Sequence, residues 1–270
     1  MSRFSDTIKS IVKIVLQTRP VHHSTTHKGG RIIVMGNGPS LNDTIAAHLD
    51  TLKKTPTMAV NFAALAPVFF DIKPAYYVMA DPHFFKAGDN GGNLDKLRAE
   101  LSRVDWPMEL FVPVRYRKDA EACYPGLKLR PFNGIGLEGY DALTHPAYRL
   151  GLGMPRPRNV LIPAIMLAIG EGFDEIIVTG ADHSWMQTLS VTDENEVVSV
   201  QPHFYADSDK EEARIRHEYR GYRLHQIVES FAVAFRSYHD IARYADSRGI
   251  RVLNATPGSF IDAFPRTKLD

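Results

Sequence analysis

Short apolar runs alternate with helical patterns along most of this chain. Six of the runs have the length and the flanking turn residues of buried strands. They are residues 31–35, 58–60, 76–79, 110–112, 175–178 and 251–253. Strands that alternate with helices in this way form largely parallel sheets. The pattern therefore predicts an α/β, Rossmann-like fold with a mostly parallel sheet flanked by helices.

The longest helical pattern runs from about residue 214 to residue 248. Its apolar residues recur on one helical face, and the pattern stops at Gly249. The face consists of Leu224, Val228, Phe231, Phe235, Tyr238 and Ala242. We expect a helix that packs on the sheet and returns the chain to its last strand.

A polar segment, residues 184–212, separates the fifth and sixth predicted strands. It mixes Asp, Glu, Asn, Ser and His without a period that would form a core. We expect this insertion to be a lid that covers a substrate. Residues 31–270 would then form one catalytic domain that includes the lid.

The first eighteen residues form an amphipathic pattern at helical spacing. Its apolar positions are Phe4, Ile8, Ile11, Val12, Val15 and Leu16, and its basic positions are Arg3, Lys9 and Lys13. Such a helix either covers a partner subunit or its own core, or rests on an anionic membrane surface. Residues 21–30 are predicted to be a linker, whose His22, His23 and His27 are expected to be solvated, with metal binding as the alternative.

Charge and cysteine content narrow the function classes. The chain has 32 Lys and Arg against 31 Asp and Glu, so no overall field attracts nucleic acid. The single cysteine, Cys123, excludes an internal disulfide and a cysteine-rich zinc site. No apolar stretch reaches the length of about 20 residues that a membrane-spanning helix needs. We therefore expect a cytoplasmic protein, which would contact the inner membrane only if its first helix binds lipid.

The clearest chemical signal follows the first predicted strand, where the chain reads Gly36-Asn37-Gly38-Pro39-Ser40 and then enters a helix. A strand, a tight turn and a helix N-terminus together make an anion site. The two glycines would let backbone amides approach a ligand, and Asn37 and Ser40 would add neutral donors. Because the turn contains no Lys, it is not a P-loop.

This motif resembles the opening motif of the bacterial sialyltransferases that use CMP-activated sialic acid. Asn61 resembles the second-strand Asn of that family, and Asp81 stands where the family has an Asn before Pro. The stretch from Asn159 to Asp182, with Gly180 near its end, is similar to the family's helix and following strand. The same register places Arg156 on an active-site Arg of the family.

Residues 253–259 also resemble a wider set, the motility-associated flagellin glycosyltransferases and the hydroxymethyl-dihydropterin pyrophosphokinases. The resemblance to the sialyltransferases implies a single-domain variant of the GT-A fold. It implies inverting transfer of sialic acid or a related nonulosonic acid from a CMP-sugar to a glycan or lipid-linked acceptor, without a required metal. A homo-oligomer is compatible with these features.

The resemblance also implies roles for individual residues. Asn37 and Asn61 would contact the donor and its cytidine. Where the family holds the phosphate with tyrosines, this chain has His183, Ser184 and Trp185. The first two can donate hydrogen bonds to phosphate, and the indole can stack on a base or sugar.

A base must accept the proton of the acceptor hydroxyl, and histidine suits this at neutral pH. The family's histidine falls in register on Ala232, so we assign the role to His225, two helical turns earlier, with His183 and His217 as alternatives. Asp81 would orient a sugar or acceptor hydroxyl.

Two other functions stay open. Asp81 and Asp182 could together hold Mg²⁺ in a pyrophosphokinase that transfers from ATP to a pterin alcohol. The chain could also bind nucleotide without turnover. Mg²⁺ dependence with ATP binding would indicate the kinase, whereas CMP binding that survives a chelator would indicate the glycosyltransferase.

Overall fold

A computed structural model describes residues 2–21, 25–86, 92–199 and 221–270. Within them, seven parallel strands form one sheet in the order β5-β4-β3-β2-β1-β6-β9, and β7 and β8 pair as an antiparallel hairpin. The strands are β1 Arg31–Met35, β2 Thr57–Val60, β3 Tyr76–Val78, β4 Glu109–Pro113, β5 Lys128–Phe132, β6 Glu175–Thr179, β7 Leu189–Val191, β8 Val197–Ser199 and β9 Arg251–Asn254. The predicted α/β, Rossmann-like fold is confirmed.

Eight α-helices lie within the described residues. They are α1 Arg3–Gln17, α2 Leu41–Lys54, α3 Phe69–Ile72, α4 Asn93–Leu101, α5 Arg117–Cys123, α6 Asp141–Arg149, α7 Leu161–Glu171 and α8 Leu224–Ser247. None of these helices is long and apolar enough to cross a membrane.

Both faces of the sheet are covered. Along β1, Ile32 and Val34 enter one buried cluster together with residues of α6, α7 and α8. The alternate residues Ile33 and Met35 enter a second cluster with residues of α2 to α5. Side chains alternate in this way along any strand, and burial on both faces explains why the strands read as continuous apolar runs.

The strand order reverses between β1 and β6. The chain proceeds from β1 outward to β5 on one side, and then crosses back to place β6 on the other side of β1. Ligands of open α/β sheets bind in the crevice outside the carboxyl ends of the strands at such a switch point. The topology therefore locates the candidate site next to the Gly36 turn.

Two strand features differ from the sequence prediction. Strand β5 was not predicted, because it is an edge strand whose Lys128, Arg130 and Pro131 suit an edge and hide the apolar pattern. The polar segment contains the β7–β8 hairpin, whose Val197 is buried against Ile227 and Phe231. A few apolar residues thus give the predicted lid a small core of its own.

Helix α8 begins at Leu224, ten positions after the predicted start. Residues 221–223 precede it without helical structure, and the Arg223 amide donates to the Gln226 side chain at 2.9 Å. The other predicted helical residues, 214–220, lie outside the described residues, as do residues 200–212 of the lid. Closure of the lid and the division at residue 31 stay predictions.

Part of the predicted linker is packed. The ring of His27 stacks on Phe173 with centroids 4.0 Å apart, and its Nε2 lies 2.8 Å from the Tyr76 hydroxyl. Its amide donates to the carbonyl of Glu171 at 2.8 Å. The expectation of a solvated His27 is therefore wrong, because the chain follows the end of α7 before it enters β1. His22 and His23 lie outside the described residues.

Candidate functional site

A cleft of about 950 Å³ lies at the carboxyl ends of β1, β2, β3 and β6. It brings together thirteen of the residues predicted from sequence. These lining residues are Gly36, Asn37, Gly38, Pro39, Asn61, Asp81, Arg156, Asn159, Gly180, Asp182, His183, Ser184 and Trp185. Residues that are far apart in sequence thus form one site, as the parallel topology predicts.

The amides of the glycine turn bond to protein. Gly36 donates its N–H to the carbonyl of Thr179, and Gly38 donates to the carbonyl of Gly180, both at 2.8 Å. These bonds continue the β1–β6 ladder beyond the strands. The amides of these two glycines are thus occupied by the neighbouring strand, and the approach of other amides of the turn to a ligand stays a prediction.

The glycines are needed because two turns touch. A Cβ on Gly36 would lie 2.4 Å from the carbonyl oxygen of Gly180, and a Cβ on Gly180 would lie 2.6 Å from that of Gly36. Gly180 also has a φ of 63°, which favours glycine. Close packing of the β1 and β6 turns explains why both positions are glycine.

The side chain of Asp182 lies against the first turn of α2. Its Oδ2 accepts a hydrogen bond from Ser40 Oγ at 2.8 Å, and a Cβ on Gly38 would lie 1.9 Å from the same oxygen. The hydroxyl proton of Ser40 is thus engaged by a carboxylate and is not available to a ligand. A second anion at this turn would be repelled, whereas the acceptor oxygens of Asp182 suit the hydroxyl groups of a sugar.

The turn that follows β9 holds the Asp182 segment in place. Ala181 donates its amide to Thr256 Oγ1 at 3.0 Å and accepts from Ser259 Oγ at 2.6 Å. Phe260 donates its amide to the carbonyl of Asp182 at 2.9 Å. The motif at residues 253–259 therefore supports the site.

Asn37 and Asn61 present amide oxygens at the ends of β1 and β2. Asn37 Nδ2 donates to the carbonyl of Val60 at 3.1 Å, which leaves its Oδ1 buried and without a partner among the described residues. The Oδ1 of Asn61 is likewise buried without a partner there. A buried polar atom without a hydrogen bond costs free energy, so both oxygens suit the N–H or O–H donors of a ligand.

The backbone fixes the position of Asn61. Its amide donates to the carbonyl of Val78 at 3.1 Å, and its carbonyl accepts from the Tyr77 hydroxyl. Its φ is 50°, a left-handed conformation that Asn adopts more readily than most residues. The identity of this residue is thus explained by the turn and by the side-chain oxygen it presents.

Asp81 and His83 lie together at the end of β3. Asp81 Oδ1 accepts the His83 amide at 2.7 Å and caps a short 3₁₀ turn, Pro82–Phe85. Asp81 is exposed, His83 is half-buried, and both line the cleft. His83 was missed from sequence, although its place just after a predicted strand marked it as a candidate.

A chain of hydrogen bonds runs from His183 to the first amide of α7. The Leu161 amide donates to Asn159 Oδ1 at 3.0 Å, which identifies this atom as the amide oxygen, an acceptor. The Tyr238 hydroxyl, 2.9 Å from the same oxygen, must therefore donate a hydrogen bond to it. Tyr238 must then accept from His183 Nε2 at 2.6 Å. Asn159 Nδ2 is left buried without a partner among the described residues.

Burial lowers the pKa of His183 to about 3, so its ring is neutral near pH 7. Burial also raises the pKa of Tyr238, which keeps its proton. A histidine with so low a pKa is a weak base for a proton in transfer. The structure therefore argues against the alternative assignment of His183 as the general base.

Two arginines before α7 bring positive charge to a second wall of the cleft. Arg156 NH1 lies 3.5 Å from Glu138 Oε2, a pairing that leaves most of its donors available. Arg158 is exposed, and its guanidinium contacts no acidic group of the described residues. Both precede α7, whose N-terminus also faces the cleft through Asn159 and Leu161. This wall suits an anionic group.

The other predicted residues have mixed positions. Trp185 packs on His183 at 4.1 Å and on Phe231 at 5.3 Å, so its stacking on a ligand stays a prediction. His225 is exposed and is not among the lining residues, so its role as the base stays a prediction without geometric support. His217 lies outside the described residues.

Asp81 and Asp182 both line the cleft, as metal binding by these two carboxylates would require. Within residues 2–21, 25–86, 92–199 and 221–270, however, no three His, Cys, Asp or Glu side chains lie close enough together to hold a metal ion. A metal ion held by these two carboxylates would take its remaining ligands from water and from the oxygen atoms of a bound phosphate.

The fold of this chain is found among solved structures. The chain is similar to the solved structure of MAf glycosyltransferase from Magnetospirillum magneticum AMB-1, with 11% sequence identity and a TM-score of 0.49. The similarity covers 99% of this chain and 38% of that one, so this chain spans well under half its length. No family model and no curated protein sequence matches the chain.

Proposed function

We propose that this protein is a glycosyltransferase that uses a nucleotide-activated acidic sugar, with a CMP-linked nonulosonic acid as the donor. The observation that carries the proposal is that two sets of groups lining the cleft, each called a wall, differ in chemistry. One wall offers acceptors, Asn37 Oδ1, Asn61 Oδ1 and the Asp182 carboxylate. The other offers the donors and positive charge of Arg156, Arg158 and Asn159 Nδ2.

A nucleotide sugar matches this division. Ribose hydroxyls and a base amine would donate to the acceptor wall, while the phosphate and the sugar carboxylate would face the arginines. Two anionic groups on one ligand would match the two arginines that precede α7. The motif resemblance of Asn37, Asn61 and Arg156 supports the choice of CMP and an acidic sugar.

In the transfer, the acceptor oxygen forms a bond to the anomeric carbon as the bond from that carbon to the phosphate oxygen breaks. CMP leaves, and the hydroxyl proton passes to a base. We propose His83 as this base, because it lines the cleft at the end of β3, beside Asp81. Arg156 and Arg158 would stabilise the phosphate charge as it develops.

Calorimetry with cytidine and with CMP tests the two walls separately. Arg158→Ala should weaken CMP binding by about tenfold to hundredfold, the effect of a lost charge-assisted hydrogen bond, and leave cytidine binding unchanged. Asn37→Ala should weaken both ligands. Arg236→Ala, an exposed arginine of α8 outside the cleft, is the control.

The outcomes separate the rival functions. Equal loss of cytidine and CMP binding in Arg158→Ala would contradict the proposed orientation. ATP binding that requires Mg²⁺, with no binding of CMP, would indicate a pyrophosphokinase using Asp81 and Asp182. CMP binding without release of CMP from any activated acidic sugar would indicate a binding module.

A further inference from the structure

Helix α1 displays its apolar face to solvent. Val15 is 74% exposed, Leu16 67% and Phe4 63%. Ile8, Ile11 and Val12 continue the same stripe, each more than two-fifths exposed. Because a helix advances about 100° per residue, these six residues share one side. None of the described residues covers this stripe.

The opposite, polar face of α1 is docked on the body of the protein. Ser10 is buried, donates to the carbonyl of Glu138 at 2.7 Å and accepts the amide of the same residue at 2.9 Å. Lys13 Nζ donates to the carbonyl of Gly136 at 2.9 Å, and Thr7 Oγ1 accepts the Tyr140 amide at 3.0 Å. These bonds fix the rotation of α1 and keep the apolar stripe outward.

A cationic pocket adjoins the C-terminal end of this stripe. It has a volume of about 360 Å³ and is lined by Leu16, Phe132 and Ile135 together with Arg19 and Arg115. Both arginines are exposed, and neither guanidinium pairs with an acidic group of the described residues. The stripe and the pocket therefore join apolar surface to unpaired positive charge.

We propose that the stripe of α1, with Arg19 and Arg115, is a docking surface for an anionic lipid bilayer. An interfacial helix places its apolar side chains at the boundary of the acyl chains. Arginines beside such a helix bind lipid phosphates, and each cation contributes to binding at an anionic surface. Charge complementarity thus favours anionic lipid as the occupant.

A second copy of the chain fits less well. A two-fold dimer brings the same patch from both copies together. The patch defined by the six apolar residues, Arg19 and Arg115 contains no carboxylate, so neither copy would supply a partner for the other's arginines. A bilayer of anionic lipid supplies both the apolar phase and the phosphates.

Flotation of the full chain with lipid vesicles tests the proposal. The protein should float with vesicles of equal parts phosphatidylcholine and phosphatidylglycerol, and much less with phosphatidylcholine alone. Val15→Glu combined with Leu16→Glu should abolish flotation. Arg19→Glu combined with Arg115→Glu should reduce the bound fraction by about tenfold or more and remove most of its salt dependence.

Matched controls keep the result interpretable. Val191→Glu, on the β7–β8 hairpin, adds a charge at another exposed valine, and Lys53→Glu with Lys54→Glu gives the same change in net charge at the end of α2. Both controls should bind like the unchanged protein. All variants should stay folded, with melting temperatures within about 5 °C of its own, because every altered side chain is exposed and charges at helix ends contribute little.

The proposal is overturned if the unchanged protein does not float with anionic vesicles. It is likewise overturned if the variant with Val15→Glu and Leu16→Glu floats with them as well as the unchanged protein does. A third outcome would also overturn it: ultracentrifugation shows that the unchanged protein is a dimer and the variant a monomer, and neither of them binds vesicles.

Discussion

His183 donates a 2.6 Å hydrogen bond from Nε2 to the hydroxyl of Tyr238. The direction of this bond follows from its neighbours. Asn159 Oδ1 accepts from the Leu161 amide and from the Tyr238 hydroxyl, so the hydroxyl has no proton left to donate to His183. The bond links the end of β6 to α8 and, through Asn159, to the start of α7. It also holds His183 as the neutral tautomer that carries its proton on Nε2.

We expect the protein to lose stability in acid through His183. Burial lowers the pKa of its folded form to about 3 from 6.5, so between these values the unfolded chain binds a proton that the folded chain does not. The free energy of unfolding should therefore be fully retained above about pH 6.5 and fall below it. This residue alone should account for about 2 kcal/mol between pH 7 and pH 5.

The measurement compares denaturant unfolding of the protein and of His183→Gln at both pH values. Gln can still donate to Tyr238 but does not titrate, so the variant should lack this part of the acid sensitivity. An identical pH dependence in the two proteins would show that His183 titrates normally.

The hydroxyl of Tyr238 should matter for stability. Tyr238→Phe would leave His183 Nε2 buried without its acceptor, at a cost of about 1 to 3 kcal/mol in the free energy of unfolding. Tyr222→Phe is the control, because Tyr222 is 55% exposed and should change little. A Tyr238 variant as stable as the control would mean that His183 finds another partner.

The glycine turn should tolerate no side chain at Gly38. In Gly38→Ala the new Cβ would lie 1.9 Å from Asp182 Oδ2 and 2.8 Å from the backbone oxygen of Gly180, so the Ser40–Asp182 bond must shift. We expect a loss of about 1 to 3 kcal/mol and weaker CMP binding.

Gly170→Ala serves as the matched substitution, since a Cβ at Gly170 in α7 meets nothing within 4 Å. It should raise the free energy of unfolding by about 0.5 to 1 kcal/mol. Calorimetric melting and CMP titration of both variants would test the prediction. Unimpaired CMP binding in Gly38→Ala would separate this turn from the ligand.

Two histidines compete for the role of base, and their positions differ. If the proposed transfer holds, His83→Asn should lower kcat by about a hundredfold to ten-thousandfold and leave the Kd for CMP unchanged. His225→Asn should retain normal turnover, because His225 is exposed and outside the lining residues. The reverse result, with His225 essential, would restore the assignment made from sequence.

Local patterns predicted much of the fold. Six of the seven strands of the main sheet were found because buried parallel strands read as apolar runs, and β5 was missed because an edge strand carries charges and a proline. The site residues Asn37, Asn61, Asp81 and Asp182 could be grouped because the carboxyl ends of parallel strands share one edge.

The sequence by itself determined the class of the fold, the amphipathic first helix and the edge of the sheet where the cleft lies, because these depend on periodicity and turn chemistry within short segments. Only the tertiary structure decided that the amides of Gly36 and Gly38 bond to β6 and that Ser40 meets Asp182, 142 positions away. It also decided that α1 docks through its polar face. Such pairings depend on which strands become neighbours and on how each helix is rotated, and no local pattern encodes either.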